Sequence, residues 1–109
     1  MKVHLIMPKL RGFYTRSNAR IANLGLLYVA AMLKRGGHEV RTFDLTNDPR
    51  ARIDFSYPDV VGITCVSAQF KAGLRLAQEA KKEGKITLMG GSHPTFTVRE
   101  TLETGLVDF

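Results

Sequence analysis

At 109 residues the chain has the length of one domain. Its 44% hydrophobic and 24% charged residues are those of an ordinary globular protein, and no apolar run is long enough to span a bilayer. The single cysteine, Cys65, excludes an internal disulfide and any zinc or iron–sulfur site completed by cysteines of this chain.

The net charge of +6 is partly local, because Lys9, Arg11, Arg16 and Arg20 share a segment without an acidic residue. Two readings of that segment stay open: a solvated surface, or a loop facing a phosphate, a carboxylate or an acidic partner. No recognised nucleic-acid-binding motif accompanies the charge, so nucleic acid is not the expected partner. The amino terminus lacks the apolar length and cleavage site of a signal peptide, which points to a cytoplasmic protein with no membrane partner.

Val3 to Met7 is apolar nearly throughout, as a parallel strand buried on both faces would be, and Pro8 ends it. The connection from Lys9 to Asn18 is longer than an ordinary strand-to-helix loop, and such loops tend to be functional. A helix is expected from about Arg20 to Arg35. Ile21, Leu24, Tyr28, Ala31 and Met32 would face the sheet, and Gly36-Gly37 would stop the helix. Gly25 inside it costs roughly 1 kcal/mol against alanine, which close packing or a close ligand would account for.

Glu39 to Phe43 forms the second strand, followed by Asp44. In dinucleotide-binding folds an acidic residue here takes a ribose hydroxyl, but the first turn lacks the glycine fingerprint, so Asp44 reads as a loop or capping aspartate. Thr46 to Tyr57 is polar and irregular, with room for one helical turn at Arg50 to Asp54. Val60 to Thr64, β-branched and uncharged, is a central third strand.

Cys65 to Ala68 makes a turn, and a helix follows from about Ala68 to Glu83 with Phe70, Leu74 and Ala77 on its inner stripe. Ile86 to Met89 reads as a short buried strand broken by Gly90-Gly91. Ser92 and Thr95 are candidate caps, and a third helix should span roughly Phe96 to Thr104. Leu106 to Phe109 looks like the start of a fifth strand. That implies a fragment of a longer polypeptide and an exposed apolar edge favouring a dimer. Cys65 reads as a buried small hydrophobe, His4 and His38 as structural, and Tyr28, Phe70 and the helix methionines as core.

Strand and helix alternate throughout. The fold class is therefore α/β, a doubly wound (Rossmann- or flavodoxin-like) parallel sheet of order 2-1-3-4, with a fifth strand beside the fourth. The turns after strands 1, 3 and 4 then share one rim, where such sheets bind ligands. That rim offers Pro8 at the end of the first strand, the hydroxyls of Thr64, Ser67, Ser92 and Thr95, the glycines Gly90 and Gly91, and the imidazole of His93. The set suits a ligand with a flat apolar face and polar arms. It contains no nucleophile with an evident base, no carboxylate pair and no metal-ligand cluster, so neither a catalytic residue nor a metal ligand is expected.

Asn23 to Leu33, followed by Gly36-Gly37-His38-Glu39-Val40, resembles the first helix and second strand of the cobalamin-binding domains of cobalamin-dependent radical SAM enzymes. Pro58 to Thr64 and Gly90 to Thr95 are similar to the next two landmarks of that family. The resemblance implies a cobalamin-binding module that presents its cofactor to a separate radical SAM domain of the same parent chain. The iron–sulfur cluster and S-adenosylmethionine would belong to that domain, and methyl transfer is among the reactions implied. It also implies that Ser67, Gly90, Gly91 and Thr95 line the nucleotide-tail and corrin site.

Cobalamin domains of the methionine synthase type carry Asp-x-His-x-x-Gly in the first turn, but Met7 to Asn23 contains neither aspartate nor histidine. This loop therefore supplies no histidine to cobalt, and His93 reads as a hydrogen-bonding loop residue. Two alternatives are a degenerate domain that serves as a docking or substrate-gating surface and a flavodoxin-like phosphate or nucleotide binder.

Overall fold

The protein is described here by a computed structural model covering residues 1–10 and 23–109. Four parallel strands form one sheet in the order β2-β1-β3-β4: β1 Lys2–Met7, β2 Glu39–Asp44, β3 Val60–Thr64 and β4 Ile86–Gly90. This is the doubly wound order expected from the sequence. The basic segment from Arg11 to Arg20 lies outside the described residues, as does Ile21.

β1 and β3 are central, and burial follows from that position: every residue of β1 after Lys2 is buried, as are Val60 to Ile63. Register sorts the side chains into two faces. On one, Leu5 lies beside Gly62 and Gly62 beside Leu88; on the other, Ile6 lies beside Ile63 and Ile63 beside Met89. Helix α1 (Leu24–Arg35) covers the first face over β1 and β2, burying Ala30 against Val3, Leu5, Val40 and Val60. Helix α2 (Phe70–Lys82), entered through a 3-10 turn at Ser67–Gln69, covers the second face with Gly73, Ala77 and Ala80.

The inner stripe of α1 differs from the one expected. Leu26, Ala30 and Leu33 face the sheet, whereas Leu24, Tyr28 and Met32 are 66%, 72% and 64% exposed. Neither Tyr28 nor Met32 is therefore a core residue. The helix is apolar on all sides, so periodicity alone did not fix its rotation. The cap does: Asn23 Oδ1 accepts from Leu26 N at 3.0 Å, while its Nδ2 points to Met7 Sδ at 3.3 Å.

Other differences have equally local causes. No helical turn forms at 50–54, because Ile53 and Phe55 both pack on the core and i, i+2 burial needs extended chain. β4 is only half buried: Thr87 and Met89 turn inward while Ile86 and Leu88 are exposed. The single helix expected after Phe96 is two, α3 (Ser92–Phe96) and α4 (Val98–Glu103). They break at Thr97, whose φ of −129° is not helical.

Ser92 and Thr95 are not caps. Gly91 holds the cap position, Ser92 is the first helical residue, and Thr95 lies within α3 donating its hydroxyl to Gly91 O at 2.7 Å. Asp44 does cap a turn, its Oδ1 accepting from Thr46 N and Asn47 N. Beyond α4, Phe109 N donates to Thr87 O and Met89 N donates to Phe109 O, the bond pair of a parallel strand beside β4.

His4 is structural, as expected. It is buried, lies between Phe43 and Tyr57, and neither ring nitrogen has a partner among the described residues. Burial, and then the Arg41 charge, hold its pKa below the usual 6.5, against the opposing pull of Asp54 and Glu39. Because the folded value is the lower one, the contribution of neutral His4 is fully present above pH 6.5 and fades as pH falls through the window beneath it. Urea unfolding between pH 7.5 and 5.5 should lose stability by up to about 1.4 kcal/mol per pH unit within that window. His4→Phe should flatten the slope.

Candidate functional site

The carboxyl ends of β1, β3 and β4 meet at one rim, and backbone bonds fasten two of its turns together. Cys65 N donates to Gly90 O at 2.8 Å, and His93 N donates to Cys65 O at 3.3 Å. Gly91 makes this approach achievable. Its φ is +104°, and a Cβ there would meet Cys65 O at 2.6 Å and Cys65 N at 2.9 Å. Gly90, its neighbour, has open space around it.

The third turn is tied in by a residue that the sequence did not single out. Gln69 is buried, donates Nε2 to Pro8 O at 2.7 Å and accepts from Val66 N at 3.1 Å. Pro8 O also accepts from Thr46 Oγ1 at 3.2 Å. The ring of Pro8 is fully buried, so this residue anchors the turn from beneath. A lone glutamine beside an apolar helix start carries no sequence signal for such a role. Gln69→Leu leaves Val66 N unpaired and should lower stability by about 2 kcal/mol, read as a reduced urea midpoint.

Between α1 and the part of the sheet it leaves uncovered lies an open cavity of about 360 Å3. Its walls are Leu5, Leu26, Val29 and Leu88. Gly62 deepens the floor, since a Cβ there would lie 2.8 Å from Leu5 Cδ2. Gly25 forms part of the α1 side, and among the described residues the only neighbour a Cβ would meet is Asn23 Oδ1 at 3.4 Å. Close packing among the described residues therefore does not explain this glycine. Among the described residues the polar side chains at the edge are Asn23 and Thr64, with Gly90 and Gly91 completing the rim.

Of the residues picked out from the sequence, the cavity gathers Thr64, Gly90 and Gly91. Ser67 and His93 come together on the α2 side of the Gly91 turn, with Ser67 Oγ and His93 Nδ1 2.9 Å apart and the Phe70 ring 4.2 Å from the imidazole. The expected hydrogen-bonding role of His93 is thus met, on a short helix rather than a loop. Ser92 is exposed, and Thr95 borders a smaller apolar hollow with Pro94, Val98 and Phe109. Sequence reasoning missed Leu5, Leu26, Gly62 and Leu88. The Leu5–Gly62–Leu88 row was available only from sheet register.

Among the described residues the rim has little reactive chemistry of its own. Burial pushes the Cys65 thiol up to about 12, so it is not a nucleophile at neutral pH. Among the described residues no group of three or more His, Cys, Asp or Glu could hold a metal ion. No helix among them is long and apolar enough to cross a membrane.

A cavity of this size, apolar with a few polar edge groups at the carboxyl rim of a parallel sheet, defines a small-molecule-binding α/β domain. Residues 12–109 match the model of the B12 binding domain, and the chain belongs to that family. It is 31% identical over 115 residues to the hopanoid C-3 methylase of Methylococcus capsulatus, covering 96% of this chain and 22% of that protein. It is 34% identical over 97 residues to the bacteriochlorophyllide d C-12(1)-methyltransferase of Chlorobaculum tepidum, covering 88% and 21%. The chain thus spans about a fifth of the length of these curated relatives. No solved structure matches it.

Proposed function

We propose that this chain is the corrinoid-binding part of a longer radical SAM methyltransferase. It would hold cobalamin and present it to a separate domain carrying the iron–sulfur cluster and S-adenosylmethionine. The observation that carries the reading is the glycine-bordered apolar cavity at the sheet rim, in a chain of the B12 binding domain family. The methyl-transferring names of two relatives, and the small share of their length covered here, support the rest.

The residues present fit a large cofactor whose tail ends in a flat, largely apolar base. Gly25 and Gly62 leave space where any side chain would intrude, and Leu5, Leu26, Val29 and Leu88 would cover the tail. Gly90, Gly91 and Thr64 would lie at the mouth, toward the corrin, with Ser67 and Thr95 farther along the rim. Cobalamin, when bound, supplies a cobalt centre able to carry a one-carbon group. This chain binds, orients and shields it. The first turn has no histidine for the lower face of cobalt.

Incubating the full chain with hydroxocobalamin and desalting it should leave red protein with stoichiometric corrinoid absorbance. Colourless protein would count against the reading.

A further inference from the structure

We propose that β2 is a docking edge for a second copy of this chain, the two β2 strands pairing antiparallel about a two-fold axis at Val40. The proposal is independent of the corrinoid-binding reading above.

Hydrogen-bond direction shows which groups β2 offers. Glu39 N donates to Met1 O and Leu45 N donates to Met7 O, so Glu39, Arg41, Phe43 and Leu45 turn their backbone groups toward β1. Direction alternates along a strand, which turns the N–H and C=O of Val40 and Thr42 outward. The opposite side of the sheet is already extended, because Phe109 pairs beside β4. β2 also lacks the usual defences of an edge. It contains no proline, glycine or lysine, and its register with β1 runs without a bulge from Lys2–Glu39 to Met7–Asp44. Leu10 and Asn23, the described residues that flank 11–22, bond to Thr46 and to Met7 at the carboxyl rim, the far end of β2 from Val40.

Charge selects the register. With Val40 facing its own copy, each Val40 exchanges both backbone bonds with the other, and Thr42 N donates to His38 O across the axis. Glu39 then stands opposite Arg41 of the second copy, in the closer, non-hydrogen-bonded position, on both sides of the axis. Both side chains are 53% exposed, and their contact within one chain is long at 3.7 Å. A register centred on Arg41 would set that cation against itself and oppose residues whose bonds already go to β1. One centred on Thr42 would set Val40 against the Asp44 carboxylate. Glu39-Val40-Arg41 is therefore complementary to its own reverse, which offsets at the contact the repulsion between two chains of charge +6.

Sedimentation velocity of the full chain at up to about 1 mM, where contacts as weak as millimolar are visible, should show a monomer–dimer equilibrium. Thr42→Pro removes an outward N–H, spares the bonds to β1, and should leave monomer alone. Glu39→Arg and Arg41→Glu should each weaken the dimer roughly tenfold or more, and combining them should restore it to within about threefold. Arg41→Glu also lowers the net positive charge, so a dimer opposed only by overall repulsion would tighten instead. Urea midpoints report whether each variant is folded. Where a reversal unfolds the chain by breaking the Tyr57–Glu39 hydrogen bond, Thr42→Pro decides alone.

Monomer throughout the concentration series would overturn the proposal. So would a dimer untouched by Thr42→Pro, a dimer tightened by Arg41→Glu, or a folded double variant that fails to reassociate.

Discussion

Leucine at Gly25 is expected to leave the fold as stable as before, or more so, while removing most corrinoid affinity. Gly25 is in the first turn of α1, where among the described residues a Cβ would meet only Asn23 Oδ1 at 3.4 Å. Exchanging glycine for a good helix former gains up to about 1 kcal/mol. The same side chain projects into the cavity between α1 and the sheet. Overfilling a fitted site costs about 1–3 kcal/mol, so affinity should fall roughly ten- to a hundredfold. Urea unfolding and titration with hydroxocobalamin read the two effects separately. Opposite signs are the signature of a glycine kept for a ligand, and a parallel loss of stability and affinity would mark it as a packing residue.

The largest loss of stability is expected at Gly91. Valine there would adopt a left-handed φ of +104° and drive its Cβ into the backbone of Cys65, which cannot swing aside as a side chain can. Such strain alone costs about 1–3 kcal/mol, and the clash must also separate the β3 and β4 turns. A total of roughly 3–5 kcal/mol approaches the whole stability of a small domain. Gly91→Val should therefore show a collapsed urea midpoint or no cooperative transition. Gly90→Ala, with nothing among the described residues within 4 Å of its Cβ, should stay within about 1 kcal/mol of the parent. Similar losses at both glycines would contradict the division of labour between them.

The contrast between those adjacent glycines shows where sequence reading stops. The parallel sheet and its order followed from strand–helix alternation, and Pro8, Thr64 and the glycine pair marked the rim where the turns after β1, β3 and β4 meet. Which of the two glycines carries the strain depends on how near β3 passes to β4, a distance that no local pattern encodes. The rotation of α1 was illegible for a related reason. With apolar residues on every side, its inward stripe is set by Asn23 gripping Leu26 and Met7. The cavity walls were missed because Leu5, Gly62 and Leu88 are far apart in sequence and become neighbours only through parallel register. Gln69 escaped because its partners, Pro8 O and Val66 N, are backbone atoms.

The cavity beside α1 is the centre of the account, and amide hydrogen exchange with and without hydroxocobalamin tests it most directly. Protection should rise in the first turns of α1, around 24–29, and through the turn at 90–93, while the outer face of α2 stays unchanged. Protection confined to α2, or none anywhere at saturating cofactor, would contradict the assignment.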